Sequence, residues 1–206
     1  MKRDPQANAR ALYDFAAAQG GYFTAGQASQ AGYAYSQQHF HVARGNWLRI
    51  GRGLFRLRDY PPDGREDLIR CSLWSRNQKG VPQAVVSHDT ALSVHELSDL
   101  MPAQIHLTVP KGFRKKAPPG CVLHMDTLPP QDVETRGGYQ VTSPLRTLLD
   151  VSASALSQEH LDRAVRDGLG RGILSRHLLE TVPAARDVRE RLNRALATAL
   201  EEEGVT

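Results

Sequence analysis

The 206 residues suffice for one large domain or two small ones, and a hydrophobic fraction of 40% excludes global disorder. The net charge of +4 is unevenly placed. Residues 1–60 hold eight basic residues (Lys2, Arg3, Arg10, Arg44, Arg49, Arg52, Arg56 and Arg58) against Asp4, Asp14 and Asp59, whereas the remainder carries 18 basic and 19 acidic residues. Two cysteines, Cys71 and Cys121, stand fifty residues apart with no CxxC pair, which excludes a zinc ribbon or a disulfide scaffold and fits a reducing cytoplasm. No apolar run is long enough to span a membrane, and the first residues lack the apolar stretch of a signal peptide.

A helix is expected over residues 8–19, because Ala9, Leu12, Phe15 and Ala16 recur at helical spacing and Gly20-Gly21 stops the pattern. Tyr22-Phe23 is a short extended piece. Thr24 can cap a second helix over 25–31, which Gly32 ends. Ser36 can cap a third helix reaching about Asn46, with Phe40, Ala43 and Trp47 as its apolar face. Two short helices around a glycine-containing turn match a helix-turn-helix. Residues 47–50 and 54–57 then read as two strands. Leu48, Ile50, Phe55 and Leu57 are expected inward, and Arg49 and Arg56 outward. Gly51-Arg52-Gly53 suits the hairpin loop, with Gly53 tolerating positive φ. This hairpin is the expected wing.

Tyr60-Pro61-Pro62-Asp63-Gly64 is the strongest linker signal, dividing the chain into a head over 1–60 and a C-terminal domain over 61–206. In the latter, helices are expected over 65–76 and 88–97, and strands over 84–87, 104–109, 121–125 and 139–141. Ser143 and Pro144 announce a helix over 144–151, and further helices follow over 157–169, 175–180 and 184–202. The fold class is therefore α+β: an N-terminal winged helix-turn-helix, then a mixed α/β domain ending in a helical bundle.

A recognition helix needs one face against its partners and another with side chains that reach base edges. On the third helix Gln37, Gln38, His41 and Arg44 are expected to project. Gln can pair with adenine and Arg with guanine. Tyr35 and Ser36 sit near the helix start, where hydroxyls and amides meet phosphate. Arg52 at the wing tip can enter a minor groove or grip phosphate, flanked by Arg49 and Arg56. A second basic patch, Lys111, Arg114, Lys115 and Lys116, can extend a DNA footprint or face an acidic partner.

The run SHDTALSVHELSD places His88 and His95 two helical turns apart, near Asp89, Glu96 and Asp99. That pattern suits metal ligation or acid–base work, but the order is not HExxH, no third ligand stands at a telling distance, and His88 and Thr90 near a helix start more often cap or satisfy buried backbone. In TSPLRTLLD, Arg146 can pair with Asp150 across one helical turn. No P-loop, GxSxG or dinucleotide fingerprint occurs, so no catalytic residue, metal ligand or cofactor is assigned.

The ordered segments GGYFTAGQASQAGY, LRIGRGLFRLRDYP, VVSHDTALSVHELSD, IHLTVPKGFRKK and GYQVTSPLRTLLDV, spanning about residues 9–150, resemble AbiEi-type antitoxins of type IV toxin–antitoxin systems. That resemblance implies a winged-helix head that binds operator inverted repeats in double-stranded DNA and represses its own operon. It further implies a C-terminal domain that counteracts a nucleotidyltransferase-like toxin without forming a stable complex with it. The family brings no catalytic residues. Its DNA-reading role falls on Gln37, Gln38, His41, Arg44 and Arg52 here. The residues themselves leave two alternatives open: a winged-helix-targeted nuclease-like or metal-dependent enzyme, which needs His88, Asp89, His95 or Glu96 to converge, and a ligand-responsive regulator.

Overall fold

The structure, a computed structural model, describes residues 4–62 and 64–203; Lys2, Arg3 and the linker residue Asp63 lie outside the described residues. Helix α1 (Pro5–Ala17) starts three residues earlier than the apolar spacing indicated. Asp4 accepts the Gln6 N–H at 3.0 Å, and Pro5 fills the first helical position, where a missing N–H costs nothing. Strand β1 (Tyr22–Thr24) leads into α2 (Ala25–Gln30). A capping box fixes that junction: Thr24 Oγ1 accepts from the Gln27 N–H at 3.2 Å, and Gln27 Oε1 accepts from the Thr24 N–H at 2.9 Å.

Helix α3 (Tyr35–Ala43) begins on Ala34, not on Ser36 as expected. Gln37 Oε1 accepts the Ala34 N–H at 2.8 Å and closes the helix start from within, which leaves Ser36 inside the first turn. Strands β2 (Trp47–Gly51) and β3 (Leu54–Leu57) form the hairpin, and β3 lies between β1 and β2 in an antiparallel sheet. Leu12, Ala16, Phe23, Ala28, Trp47 and Phe55 form the core beneath it. This is the winged helix-turn-helix read from the sequence.

The hairpin register differs from the expected one. Trp47 opposes Leu57, Leu48 opposes Arg56, and Arg49 opposes Phe55. Opposed residues share a sheet face, so Leu48 stands on the side of Arg56 rather than with Phe55 and Leu57. Trp47 takes the inward place instead, and Ile50 falls at the irregularity between Arg49 and Gly51. The large indole wins the core position because it buries more apolar surface than Leu48 could.

The chain forms two compact units, and the division falls after Gln83 rather than after Tyr60. The first unit holds residues 1–83 and 135–139; the second holds 84–134 and 140–206. Helix α4 (Glu66–Ser75) belongs to the first. Its Leu68 and Ile69 are buried, and the Arg76 guanidinium just beyond it donates to Gln19 Oε1.

The second unit starts with β4 (Val85–Val86), α5 (His88–His95), β5 (Ile105–Val109) and β6 (Cys121–Met125). A single 3-10 turn, Pro130–Asp132, precedes β7 (Val133–Arg136) and β8 (Tyr139–Thr142). The strand order is β6-β5-β4-β8-β7, with β4 antiparallel to β5 and parallel to β8, and β5 parallel to β6. Leu107 and Val109 are buried, as their alternation with polar neighbours indicated. Strand β7 is absent from the sequence reading because Val133-Glu134-Thr135-Arg136 carries only one strongly apolar residue.

Helices α6 (Pro144–Ser152), α7 (Gln158–Gly170), α8 (Arg176–Thr181) and α9 (Arg186–Glu203) complete the bundle around Leu148, Leu161, Val165, Leu179, Leu192 and Leu196. Ser143 caps α6 and Ser157 caps α7 through their hydroxyls. Arg191 on α9 donates to the carbonyls of Ser152, Ser154 and Leu156, at 3.0 and 2.9 Å for the first two. A cation thus satisfies the bare carbonyl end of α6 and complements its dipole. Gly168 lies so close to Leu174 that any Cβ there would collide with its side chain, which fixes the α7 turn against the following loop.

Candidate nucleic-acid interface

The wing and α3 both belong to the first unit. At the hairpin tip Arg52 is exposed between Gly51 and Gly53, and Gly53 adopts φ +66°, the left-handed conformation expected of it. Arg49 is also exposed. Arg56 is not a free phosphate contact. Its Nη2 donates to the Tyr60 carbonyl at 2.8 Å, and its guanidinium carbon lies 5.6 Å from the Tyr22 ring centre. The side chain ties the wing to the chain that leaves it.

On α3 the outward face is rotated from the expected one. Tyr35, Ser36, Gln37, His39, Phe40, Ala43 and Arg44 are exposed. Phe40, expected in the core, is 51% exposed, and the Arg44 guanidinium carbon stands 5.0 Å from its ring centre. His39 is a polar group of this face that the sequence reading did not select.

Gln38, expected to read bases, is buried, only 3% exposed. Its amide nitrogen lies within hydrogen-bond distance of Ala25 O (3.1 Å), Ser29 Oγ (3.0 Å) and Tyr33 O (3.1 Å), closing the turn between α2 and α3. A long amide can satisfy loop carbonyls that an apolar residue would leave bare, which is why a polar residue takes the inner face. Gln38→Ala is therefore expected to lower folding stability by about 1–3 kcal/mol, measured by urea unfolding, because buried carbonyls lose their donor. A stability unchanged from wild type would contradict this structural role.

His41 is also partly withdrawn. Its ring stacks on Trp47 (centres 4.8 Å apart, 14° between planes) and meets Tyr33 edge-on at 5.1 Å. Its Nδ1 lies 3.2 Å from Asn46 Nδ2, and burial holds its pKa below the usual histidine value. A neutral imidazole packed in this way anchors α3 to the hairpin. Of the expected DNA-reading set, Tyr35, Ser36, Gln37, Arg44, Arg49 and Arg52 are exposed, with Gln37 also engaged at the helix start. A cleft of about 540 Å³ beside α3 is lined by Asn8, Gly32, Tyr33, Gln37 and His41 among others.

In the second unit Lys111, Arg114, Lys115 and Lys116 are exposed on the loop between β5 and β6. His88 and His95 do not converge. His95 is buried with Nε2 2.7 Å from the Thr142 carbonyl, whereas His88 begins α5 and stacks on His124. Glu96 instead pairs with Arg171 at 3.4 Å, so neither His95 nor Glu96 joins His88. Arg146 does bond Asp150, Nε to Oδ1 at 2.8 Å, and it also reaches Asp126 at 2.5 Å and Asp132 at 3.4 Å. The two further carboxylates, one just after β6 and one in the 3-10 turn, lie 20 and 14 residues from Arg146, beyond the reach of helical spacing.

Comparison with known proteins bears on both units. Residues 10–58 match a family described as "Transcriptional regulator, AbiEi antitoxin", and residues 83–199 match the "AbiEi antitoxin C-terminal domain". No curated protein matches. Among solved structures, the crystal structure of the RV2827C protein from Mycobacterium tuberculosis is similar, at 13% identity and a TM-score of 0.48, covering 97% of this chain and 79% of that one. No helix among the described residues is long and apolar enough to cross a membrane. The C-terminal match alone spans more than half of the 206 residues, and the chain belongs to the AbiEi antitoxin family.

Proposed function

We propose that this chain is the autorepressor and antitoxin of a type IV toxin–antitoxin system. The winged head binds inverted repeats in its own promoter, and the C-terminal unit counteracts a nucleotidyltransferase-like toxin without a stable complex. The observation that carries the DNA-binding half is the exposed set of Arg44, Ser36 and Tyr35 on α3 together with Arg52 at the wing tip, all within the basic head. In this reading α3 lies in a major groove. Arg44 reaches a base edge or phosphate from its C-terminal end, Ser36 and Tyr35 meet phosphate at its start, and Arg52 enters the adjacent minor groove. The exposed His39 and Phe40 add contacts to the bases or the thymine methyl group. The basic loop with Lys111, Arg114, Lys115 and Lys116 is a further candidate phosphate contact.

Arg44→Ala and Arg52→Ala are each expected to weaken operator binding by about 1–3 kcal/mol where the side chain contacts a base. Where it contacts phosphate instead, the loss is uniform across sequences and the salt slope falls by about one. Electrophoretic shifts on the upstream promoter at several salt concentrations separate the two cases. Unaltered binding in both variants sinks the assignment of these arginines. For the antitoxin half, co-expression with the neighbouring nucleotidyltransferase-like gene product should restore growth, and the two proteins should not co-purify.

A further inference from the structure

The sequence reading assigned no metal ligands, yet the fold of the second unit brings together three histidines far apart in the chain. His88 opens α5, His106 lies on β5 and His124 on β6. Strands β5 and β6 are paired in parallel, with His106 beside Val122 and His124 beside Thr108. The two histidines are therefore diagonal neighbours on one face of the sheet, alternating with the buried Leu107 and the half-buried Leu123 on the other. The His88 ring covers that face. It stacks on His124 with centres 3.6 Å apart and 13° between planes, and it lies 5.8 Å from His106. His106 Nδ1 and His124 Nε2 are 3.0 Å apart, and one nitrogen from each of the three rings falls within 4.8 Å of the others.

We propose that His88, His106 and His124 form a binding site for a divalent first-row transition-metal ion of the zinc type. Three imidazole nitrogens are the donor set such ions favour over magnesium or calcium. Four-coordinate zinc holds its nitrogen ligands about 3.3 Å apart, so the donor atoms need to close by at most about 1.5 Å, and the His88–His124 stack has to open so that both in-plane lone pairs face the ion. All three rings are partly exposed, which leaves an ion a path from solvent and an open position for water.

The surroundings suit ligation. Ligating histidines must be neutral, and burial first, then the neighbouring His124, His106 and Arg146, push the His88 pKa down to about 3. Burial and His106 lower His124 as well, against an opposing pull from Asp89. Asp89 is thus a carboxylate whose charge already reaches the cluster. Arg146, the nearby cation, is matched by its own three carboxylates. His88 Nδ1 lies 3.0 Å from Ser87 Oγ, which in turn accepts from Thr108 Oγ1 at 2.9 Å. This outer pair orients the ring in the way that hydrogen-bonded partners orient metal-bound histidines. His88 also adopts φ +52°, a left-handed conformation that a non-glycine residue keeps only when its surroundings impose it.

The test uses the full chain purified without a polyhistidine tag and stripped with a chelator. Titration with Zn²⁺ by calorimetry should show one ion per chain, and Co²⁺ should give the visible absorption of a nitrogen-ligated low-symmetry site. His106→Ala and His124→Ala should each weaken binding at least about tenfold. His177→Ala, an exposed histidine on α8, should leave it unchanged. A readout on the wild type guards against misfolded variants: Zn²⁺ should protect His88, His106 and His124 from carbethoxylation, detected by mass spectrometry, while His160 and His177 stay reactive. Absence of stoichiometric binding, binding that survives both cluster variants, or carbethoxylation of the three histidines unaffected by Zn²⁺ each overturns the proposal and leaves the cluster as a packed stack.

Discussion

Arg146→Ala is expected to cost about 3 kcal/mol of folding stability, with a larger deficit at about pH 8 than at about pH 5. Arg146 bonds Asp126, Asp132 and Asp150, and these do not lose equally when it goes. The Asp126 and Asp132 side chains are 42% and 26% exposed and can recover water, so their contribution is small. Asp150 is only 9% exposed, and its buried Oδ2 has no hydrogen-bond partner among the described residues. It would be left as an uncompensated charge, which places the cost near the lower end of the range for a broken buried pair.

The pH dependence follows from the same carboxylate. Burial raises the Asp150 pKa to about 6, against the lowering effect of Arg146, with Asp126 and Asp132 adding to the rise. An acid whose folded pKa is raised binds its proton more tightly folded than unfolded. Its favourable contribution is therefore present at low pH and is lost as pH rises through about 6. Without Arg146 that pKa moves higher still, so the variant falls further behind wild type on the alkaline side. Urea unfolding at the two pH values measures this. The double variant Arg146→Met with Asp150→Asn, which removes both charges, should recover much of the loss. A pH-independent deficit, or no recovery in the double variant, would show that the pair does not act through charge.

Trp47→Ala is expected to cost about 3–5 kcal/mol and to abolish operator binding together with the tertiary structure of the winged head. Trp47 is 4% exposed and touches four rings, those of Phe23, Tyr33, His41 and Phe55, with centres 4.8–5.9 Å away. It is the piece that joins α3 to the hairpin, so its loss opens a cavity and frees the recognition helix from the wing at once. Near-ultraviolet circular dichroism and urea unfolding report the first effect, and electrophoretic shift the second. Trp47→Phe keeps an aromatic in the same place and should retain operator binding. If Trp47→Ala bound DNA like wild type, the joint between α3 and the wing would not matter for recognition.

Elements marked by caps were legible in the sequence. The Thr24 and Ser143 starts, the α6 pairing of Arg146 with Asp150, and the whole of β6 lie where the residues indicated. These are local signals, decided within a few residues. The α3 face was misjudged because burial there follows hydrogen bonding rather than hydropathy. Gln38 goes inside to satisfy the turn, and Phe40 stays outside. The strand register failed for a related reason: Leu48 and Trp47 both suit a core, and only three-dimensional packing chooses between them. The histidine cluster was out of reach. His88 was paired with His95 along one helix, but its partners sit on strands that reach it only through the sheet order. Spacing along the chain carries no trace of such a meeting.

The position of β3 between β1 and β2 has a consequence for the thermodynamics of association. Both edges of the wing's inner strand are hydrogen-bonded, so its backbone is ordered before any ligand arrives; Gly51 pairs with Leu54, so only Arg52 and Gly53, rather than the expected three-residue loop, lie beyond the ladder. A loop that must be frozen on contact loses conformational entropy at that moment, roughly 1–2 kcal/mol for each residue fixed. Here that loss is confined to the tip and the Arg52 side chain. The wing meets its target as a rigid lever, and lengthening the tip should slacken its grip while leaving the head folded.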